Sequence, residues 1–412
     1  MNKKKIFNDP IYGFIGIPDE LIFDLIEHPY FQRLRRIRQL GLTHMVYPGA
    51  LHTRFHHALG SMHLMCRAID ILRSKGHEIT EDEAKAVTIA ILLHDIGHGP
   101  FSHSLENTIV SGVHHEELSI LFMERLNESF NNRLALALRI FRNEYPKKFL
   151  HQLVSSQLDM DRLDYLKRDS FYTGVSEGVI SSDRIITMLD VADDNLVIES
   201  KGIYSVEKFI IARRLMYWQV YLHKTVVSVE TLLIQILVRA KELAKKGDVL
   251  FATPSLAYFL YNTITKKSFL EDKTILDTFA ELDDNDVYAS VKVWQKHPDR
   301  VLSLLCKALI GRKLNRVVIR NEPFGESLLK NIREQTAALY NIKEEEAAHF
   351  VYSGNLANNA YNAASDRINI SYRDDSVIDI AEAADQLNIS ALSSPVTKYY
   401  LYYPKDISVK LS

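Results

Sequence analysis

Residues 92–103 read LLHDIGHGPFSH, three histidines and an aspartate at the end of the apolar run Ile89-Ala90-Ile91-Leu92-Leu93. Such a run belongs to a helix buried on most of its faces. His94 and Asp95 follow it directly, where a buried carboxylate without a partner would lose several kcal/mol or take up a proton. Asp95 therefore needs compensation, and two kinds are open: a metal ion or a structural hydrogen-bond network. Gly97, Gly99 and Pro100 break the helix and turn His98 and His103 toward the same region.

Upstream, Thr80 and Glu83 form a T-x-x-E capping box that opens the helix delivering His94 and Asp95. Pro29 marks a helix start and Gly41 the end of YFQRLRRIRQL. Apolar spacing predicts further helices over about 53–75, 115–130, 148–168, 182–191 and 205–246, the last with a stripe through Val226, Val229, Leu232, Leu233 and Ile236. LVIES and GIYSV, separated at Lys201-Gly202, read as a short β-hairpin. From about residue 313 the period changes. RVVIR, HFVYS, INISY and YYLYY are β-like, alternating with helix-like SLLKNIREQTAALY and SVIDIAEAADQL. The expected organisation is a mostly α chain, with a multi-helical core over 1–312 and a small α+β unit over 313–412.

The bulk numbers narrow the function classes. The 412 residues suffice for a large core, and 47% hydrophobic with 25% charged residues is ordinary for a globular protein. A net charge of −2 gives no global reason for a nucleic-acid or anionic-membrane partner. Arg33, Arg35, Arg36 and Arg38 crowd one stretch, but in a near-neutral chain they read as a local anion site or a solvated face. Cys66 and Cys306 are too few for a disulfide scaffold. The basic start is followed by no apolar signal core, and no stretch approaches the ~18 apolar residues of a membrane span. A cytoplasmic protein is expected.

In a helical protein, metal ligands come from separate helices whose side chains converge. The candidates are His57, the pair His94-Asp95, and an aspartate of QLDMDRLDYLKRDS, where Asp161 and Asp164 share a helix face and Asp169 lies further on. Two imidazoles and two carboxylates would make a mixed N/O site suited to one divalent Mn, Fe, Co, Ni, Zn or Mg ion.

Seven segments occur in order through about residues 5–225: KIFNDPIYG, HPYFQRLRRIRQLG, YPGALHTRFHHALG, LLHDIGHGPFSH, HHEELS, DMDRLDYLKRD and ARRLMYWQVYLHK. The series resembles the HD-domain phosphohydrolase superfamily and, within it, the deoxynucleoside-triphosphate triphosphohydrolases of the type that joins a sterile alpha motif to the HD domain. No such motif is read before residue 5. The resemblance implies metal ligands at His57, His94, Asp95 and Asp161. The family spacing R-F-x-H, here Arg54-Phe55-His56-His57, selects His57 and leaves His56 an ordinary neighbour. It further implies that Arg54, His103 and Arg213 hold phosphates, with Arg162 where the family has a lysine, although one arginine of ARRL also reads as simply solvated. His98 and His115, with Glu116 beside the latter, would assist proton transfer, His115 as general acid for the 5′-oxygen. Gln39, Leu40 and Tyr165 would pack round a deoxyribose, and Asp169 would take its 3′-hydroxyl. Tyr221 matches a base-proximal aromatic, while Leu222 replaces a glutamine and Tyr217 a histidine.

The N-terminal segments match the family's effector sites. Lys5, Asn8, Gln32 and Arg35 fall where a guanine nucleotide is held between subunits, with Glu27 replacing an aspartate. Val46, Tyr47, His223 and Lys224 match a second position. The implied assembly is a homo-oligomer, a tetramer built from dimers. The expected activity is metal-dependent hydrolysis of a deoxynucleoside triphosphate to deoxynucleoside and triphosphate. Its rivals are another HD phosphohydrolase, either a nucleotidase or a phosphodiesterase, and a nucleotide-sensing or nucleic-acid-binding protein with a structural HD site.

Overall fold

The computed structural model describes residues 5–101, 106–110, 112–362, 366–384 and 396–409. The architecture is mostly α, as the apolar spacing predicts, and one hydrophobic core runs from Ile15 to Ile407. Three helices frame the region of interest. Arg54–Ser74 packs against both Glu81–Leu93 and Met160–Thr173, and the carbonyl of His94 meets the helix His115–Ser129 through Ser119. The Thr80–Glu83 box is present: Glu83 N donates to Thr80 Oγ1 at 3.2 Å and Thr80 N to Glu83 Oε2 at 2.8 Å. A second box that spacing does not advertise opens Arg54–Ser74, with His56 Nδ1 accepting from Thr53 N at 3.2 Å.

Two glycines let the helices approach. A Cβ on Gly60 would overlap the side chains of Asp164 and Arg168, and one on Gly97 would overlap the His115 carbonyl and the Ser119 amide. Both positions need an absent side chain for close packing.

Several expectations are corrected: the predicted helix over 182–191 ends at Thr187, and the one that starts at Pro29 is α-helical only to Gln32 before a tighter turn Arg33–Arg36. The predicted helix over 148–168 is two, Lys148–Val154 and Met160–Thr173, because Asp159 caps the second by accepting from Arg162 N at 2.7 Å. The predicted helix over 205–246 is Ile203–Met216, a π turn Tyr217–Tyr221, then Lys224–Lys245. His223 restarts that last helix by accepting from Thr225 N, a capping signal hidden inside an unbroken apolar period. LVIES is indeed a strand, but its partner lies upstream. β3 (Leu189–Ala192) pairs antiparallel with β4 (Asn195–Glu199) across Asp193-Asp194, both at positive φ, and GIYSV instead enters a helix. Two successive left-handed residues are what a tight hairpin turn requires, and Asp tolerates that region.

The N-terminal β1 (Ile6–Asp9) and β2 (Gly13–Gly16) form an antiparallel ribbon. β5 (Arg316–Arg320) and β6 (Tyr352–Asn358) flank β9 (Val396–Tyr403), whose last three residues are buried. β7 (Asn369–Ser371) pairs antiparallel with β8 (Val377–Asp379) and, in parallel, with β4. The hairpin inside the helical region thus shares a four-stranded sheet with β7 and β8, while β5, β6 and β9 form a separate three-stranded sheet. Among the described residues, no single helix is long and apolar enough to cross a membrane.

Candidate metal and phosphohydrolase site

His57, His94, Asp95 and Asp161 come together at the meeting of the three framing helices. His57 Nε2 lies 3.0 Å from Asp161 Oδ1, 3.3 Å from His94 Nε2 and 3.8 Å from Asp95 Oδ2. His94 Nε2 is 3.5 Å from both Asp95 Oδ1 and Asp161 Oδ1. Donor atoms bound at about 2 Å around one ion lie ~3 Å apart, so this spacing fits a single divalent cation.

The far sides of the two rings test that fit. His57 Nδ1 donates to Asp164 Oδ2 at 2.8 Å and His94 Nδ1 to the Ile91 carbonyl at 2.6 Å. Both partners only accept, so each Nδ1 carries a ring proton, and a cation that displaced the proton from each Nε2 would meet a lone pair turned inward. The site also attracts positive charge. Burial pulls His57 down, yet the carboxylates of Asp161 and Asp164 outweigh it and hold the ring up at about 10. Burial pushes Asp161 up, but His57 and His94 hold it well below the usual carboxylate range. A cation at the same place would compensate these acids in place of a proton. The residues present fit the group.

Beside the cluster, His98 stacks on His115 with ring centroids 3.9 Å apart, and His98 Nε2 lies 3.4 Å from Asp95 Oδ1. Burial and the nearby Arg54 guanidinium push His98 well below its ordinary value, so its ring is neutral. Arg54, also buried, donates to Asp95 Oδ2. Against the burial that would raise it, Arg54, His94 and His98 hold Asp95 ionised. Glu116 is exposed on the first turn of its helix and is not among these clustered groups. His103 lies outside the described residues.

A second set of expected residues is partly or fully buried. The Tyr165 hydroxyl and Gln39 Oε1 are buried and lack protein partners, as does Arg213 Nε, while Leu40 packs partly buried against the core. Asp169 is doubly engaged: Tyr221 OH donates to Oδ2 at 2.7 Å and His52 Nε2 lies 2.8 Å from Oδ1. The π turn carries Tyr217 and Tyr221, with rings 5.1 Å apart, and leaves Leu222 at its end. Arg162 is turned onto the Ser156 carbonyl at 2.6 Å and Asp159 at 3.2 Å, and Arg213 Nη1 reaches the Ala360 carbonyl at 3.4 Å.

The expected effector residues lie apart from this cluster. Lys5, Asn8, Glu27 and Arg35 are exposed. Arg35 donates to Gln32 Oε1 at 2.9 Å, and Lys5 sits over the Phe23 ring. The Tyr47 ring is 6.1 Å from that of His223, which precedes the exposed Lys224, and Val46 is half-buried next to Tyr47.

Sequence reasoning missed three supports. Arg33 is not part of a surface patch. It is fully buried and donates to the His98 carbonyl at 2.8 Å and the Ile96 carbonyl at 2.9 Å, holding the HDIGHG turn. Arg168, equally buried, clamps Asp164 at 2.9 Å and Asp9 at 2.8 Å. His52 orients Asp169. Arginines carry no periodic signal that separates a buried clamp from a solvated face, so spacing could not single these out.

The chain is similar to several known proteins. Residues 54–169 match the HD domain family, and 180–248 match the HD associated region. The crystal structure of a phosphohydrolase from Bacteroides thetaiotaomicron superposes with TM-score 0.95 at 57% identity, covering 98% of this chain and 100% of that one. The uncharacterized protein YwfO of Bacillus subtilis is 37% identical over 77% of this chain and 72% of its own length. The deoxynucleoside triphosphate triphosphohydrolase SAMHD1 homolog of Dictyostelium discoideum is 36% identical over 60% of this chain. The match spans 51% of that relative's length.

Proposed function

The chain belongs to the HD-domain phosphohydrolase family, and from that premise we propose that it hydrolyses deoxynucleoside triphosphates to deoxynucleoside and triphosphate. The observation that carries the reading is the convergence of His57, His94, Asp95 and Asp161 beside the stacked pair His98–His115, with the buried unpaired groups of Gln39, Tyr165 and Arg213 as a polar wall. A divalent cation held by those four side chains would polarise a phosphoryl oxygen and acidify water.

In this reaction the water oxygen bonds to the α-phosphorus, the bond to the 5′-oxygen breaks, and a proton must reach that oxygen. In this reading His115 delivers it, and its stacking on neutral His98 supports that role. Arg54 steadies Asp95 and adds positive charge where the phosphates would lie, and Arg213 adds more. Arg162, already bonded to Ser156 and Asp159, would have to reorient to reach a phosphate. Tyr165, Gln39 and Leu40 form the sugar wall, and Asp169 retains lone pairs for a 3′-hydroxyl beside its bonds to Tyr221 and His52. A 2′-hydroxyl against such a wall would go unsatisfied, which favours deoxyribose.

The same reading includes a guanine-nucleotide effector and a homo-oligomer. Lys5, Asn8, Glu27, Gln32 and Arg35 would meet one effector, and Val46, Tyr47, His223 and Lys224 a second, at contacts between copies. Catalysis by His115 needs none of these residues, and the exposure of Lys5, Asn8, Glu27, Arg35 and Lys224 leaves those five open to a ligand. A cytoplasmic setting completes the reading, in keeping with the two free cysteines.

The test is to incubate the metal-loaded protein with each deoxynucleoside and ribonucleoside triphosphate and separate the products by chromatography. Deoxynucleoside and intact triphosphate from the deoxy series are expected. Release of orthophosphate or pyrophosphate, or turnover of monophosphates alone, would replace this reading with another phosphohydrolase activity.

A further inference from the structure

Phe101 closes the HDIGHGPF turn at φ +53, a conformation that costs a bulky residue free energy unless its surroundings impose it. Its amide donates at 2.8 Å to Asp284 Oδ1, from a residue 183 positions away. The other oxygen of the same carboxylate accepts from the Arg38 amide at 3.0 Å. Asp284 is buried, and it opens the helix Asp284–Trp294, whose Tyr288 ring lies 6.1 Å from that of Phe101. The neighbouring Asp283 holds Arg36.

These contacts join the segment that begins at Arg38 to the HDIGHGPF turn. Arg38 begins the segment Arg38-Gln39-Leu40-Gly41. Gln39 N donates to the His52 carbonyl at 3.0 Å, and Arg54 N donates to the Ile37 carbonyl at 3.0 Å. Gly41, itself at φ +48, presses against Phe101: a Cβ there would lie 3.3 Å from the Phe101 carbonyl oxygen. Phe101 in turn follows His98, Gly99 and Pro100 directly. One carboxylate therefore ties the proposed sugar wall to the turn that presents His98.

We propose that Asp284 is a positioning residue that clasps the Arg38–Gly41 segment to Phe101 and so sets the width of the substrate cleft, an inference that rests on the phosphohydrolase reading above. Asp284 would act through the backbone amides of Phe101 and Arg38 that it holds. Its two acceptor oxygens satisfy the buried amide of Phe101 and the part-buried amide of Arg38, and they hold a left-handed phenylalanine in place.

The test uses full-length, metal-loaded protein with Asp284→Asn, which keeps the shape but turns one acceptor into a donor, and with Asp284→Ala. Hydrogen exchange read by mass spectrometry should accelerate at least tenfold in peptides covering Arg38–Gly41 and Ile96–Phe101. The helices Arg54–Ser74 and Asp284–Trp294 should exchange as in the wild type. Bound metal should be unchanged, and KM for the phosphate ester that the wild type hydrolyses should rise roughly tenfold to a hundredfold, with a smaller fall in kcat. Unchanged exchange in both peptides overturns the clasp. So does acceleration spread over the whole Asp284–Trp294 helix, which marks general loosening, and so do loosened peptides with unaltered KM and kcat. If the wild type instead proves inactive on every deoxynucleotide while the exchange pattern appears as expected, the substrate reading fails and the clasp stands.

Discussion

Asp164 holds His57 from behind: Nδ1 of the histidine donates to Asp164 Oδ2 at 2.8 Å, which leaves Nε2 facing Asp161, His94 and Asp95. The carboxylate is itself fixed by Arg168, and together with His57 that guanidinium holds it at about 2 despite complete burial. Asp164→Asn keeps the shape but weakens the acceptor and its charge. Metal affinity should fall about 10- to 100-fold, as when outer partners of ligating histidines are removed. Titration with a divalent metal checks this, and an unaltered affinity would make Asp164 a purely structural residue.

His115 is predicted to act on the leaving group rather than on the metal. Replacing it with alanine should cut turnover by roughly 10²–10⁴-fold with metal content intact. A substrate carrying a good leaving group, which needs no proton, should recover much of the loss. Equal losses on both substrates would remove the proton-donor role.

Gly97→Ala tests the spacing of the same groups. The added methyl would collide with the backbone at His115 and Ser119, so the His115–Ser129 helix must move away and His115 with it. A fall in turnover of about 10²-fold is expected, because a displacement near 1 Å can cost that much. His57 and Asp161 are carried by the helices Arg54–Ser74 and Met160–Thr173, which do not make this contact, and elemental analysis should find the metal retained. Loss of metal instead would mean that the shift spreads into the ligand helices.

Glu83 links helix capping to pH. Burial would raise its pKa, but Lys147, Tyr145 and the Thr80 amide together lower it below the ordinary value near 4.5. A depressed carboxylate adds stability above the unfolded pKa, and that increment is lost as pH falls through the folded value. Glu83→Gln should therefore destabilise by about 1–2 kcal/mol at neutral pH. The gap from the wild type should close in acid, below about pH 4. Thermal melts across that range check the sign, and a gap that widens in acid would contradict it.

Arg35 probes the proposed effector site. If a guanine nucleotide binds across copies, adding it should both raise hydrolysis of other deoxynucleotides and shift the assembly to larger species, because a ligand bound at an interface stabilises the assembled state. Arg35→Ala should blunt both effects without lowering bound metal. A strictly monomeric protein at full activity without guanine nucleotide would end the regulatory proposal and leave the catalytic one untouched.

Local grammar was legible in this chain. Thr80 and Glu83 announce a capping box, and Gly97, Gly99 and Pro100 announce the break after His94-Asp95. Those signals are interactions between residues three or four apart, which spacing encodes directly. The convergence of His57, His94, Asp95 and Asp161 was legible through the ordered motifs rather than through periodicity, which left Asp161, Asp164 and Asp169 as alternatives. Tertiary structure chose among them by helix phase: Asp161 faces the cluster, Asp164 supports His57, and Asp169 is taken up by His52 and Tyr221.

What only the assembled fold decided are the contacts between distant segments. Arg33 beneath the HDIGHG turn, the parallel pairing of β4 with β7, the turn of β3 into β4 at Asp193-Asp194, and the hold of Asp284 on Phe101 and Arg38 leave no periodic trace. All but the β3–β4 turn join a donor to an acceptor across tens to hundreds of residues, and their free energy comes from burying both together. A sequence states which groups are available for burial. Which of them meet is settled only when the helices pack and each buried amide, carboxylate and guanidinium must find a partner within about 3 Å.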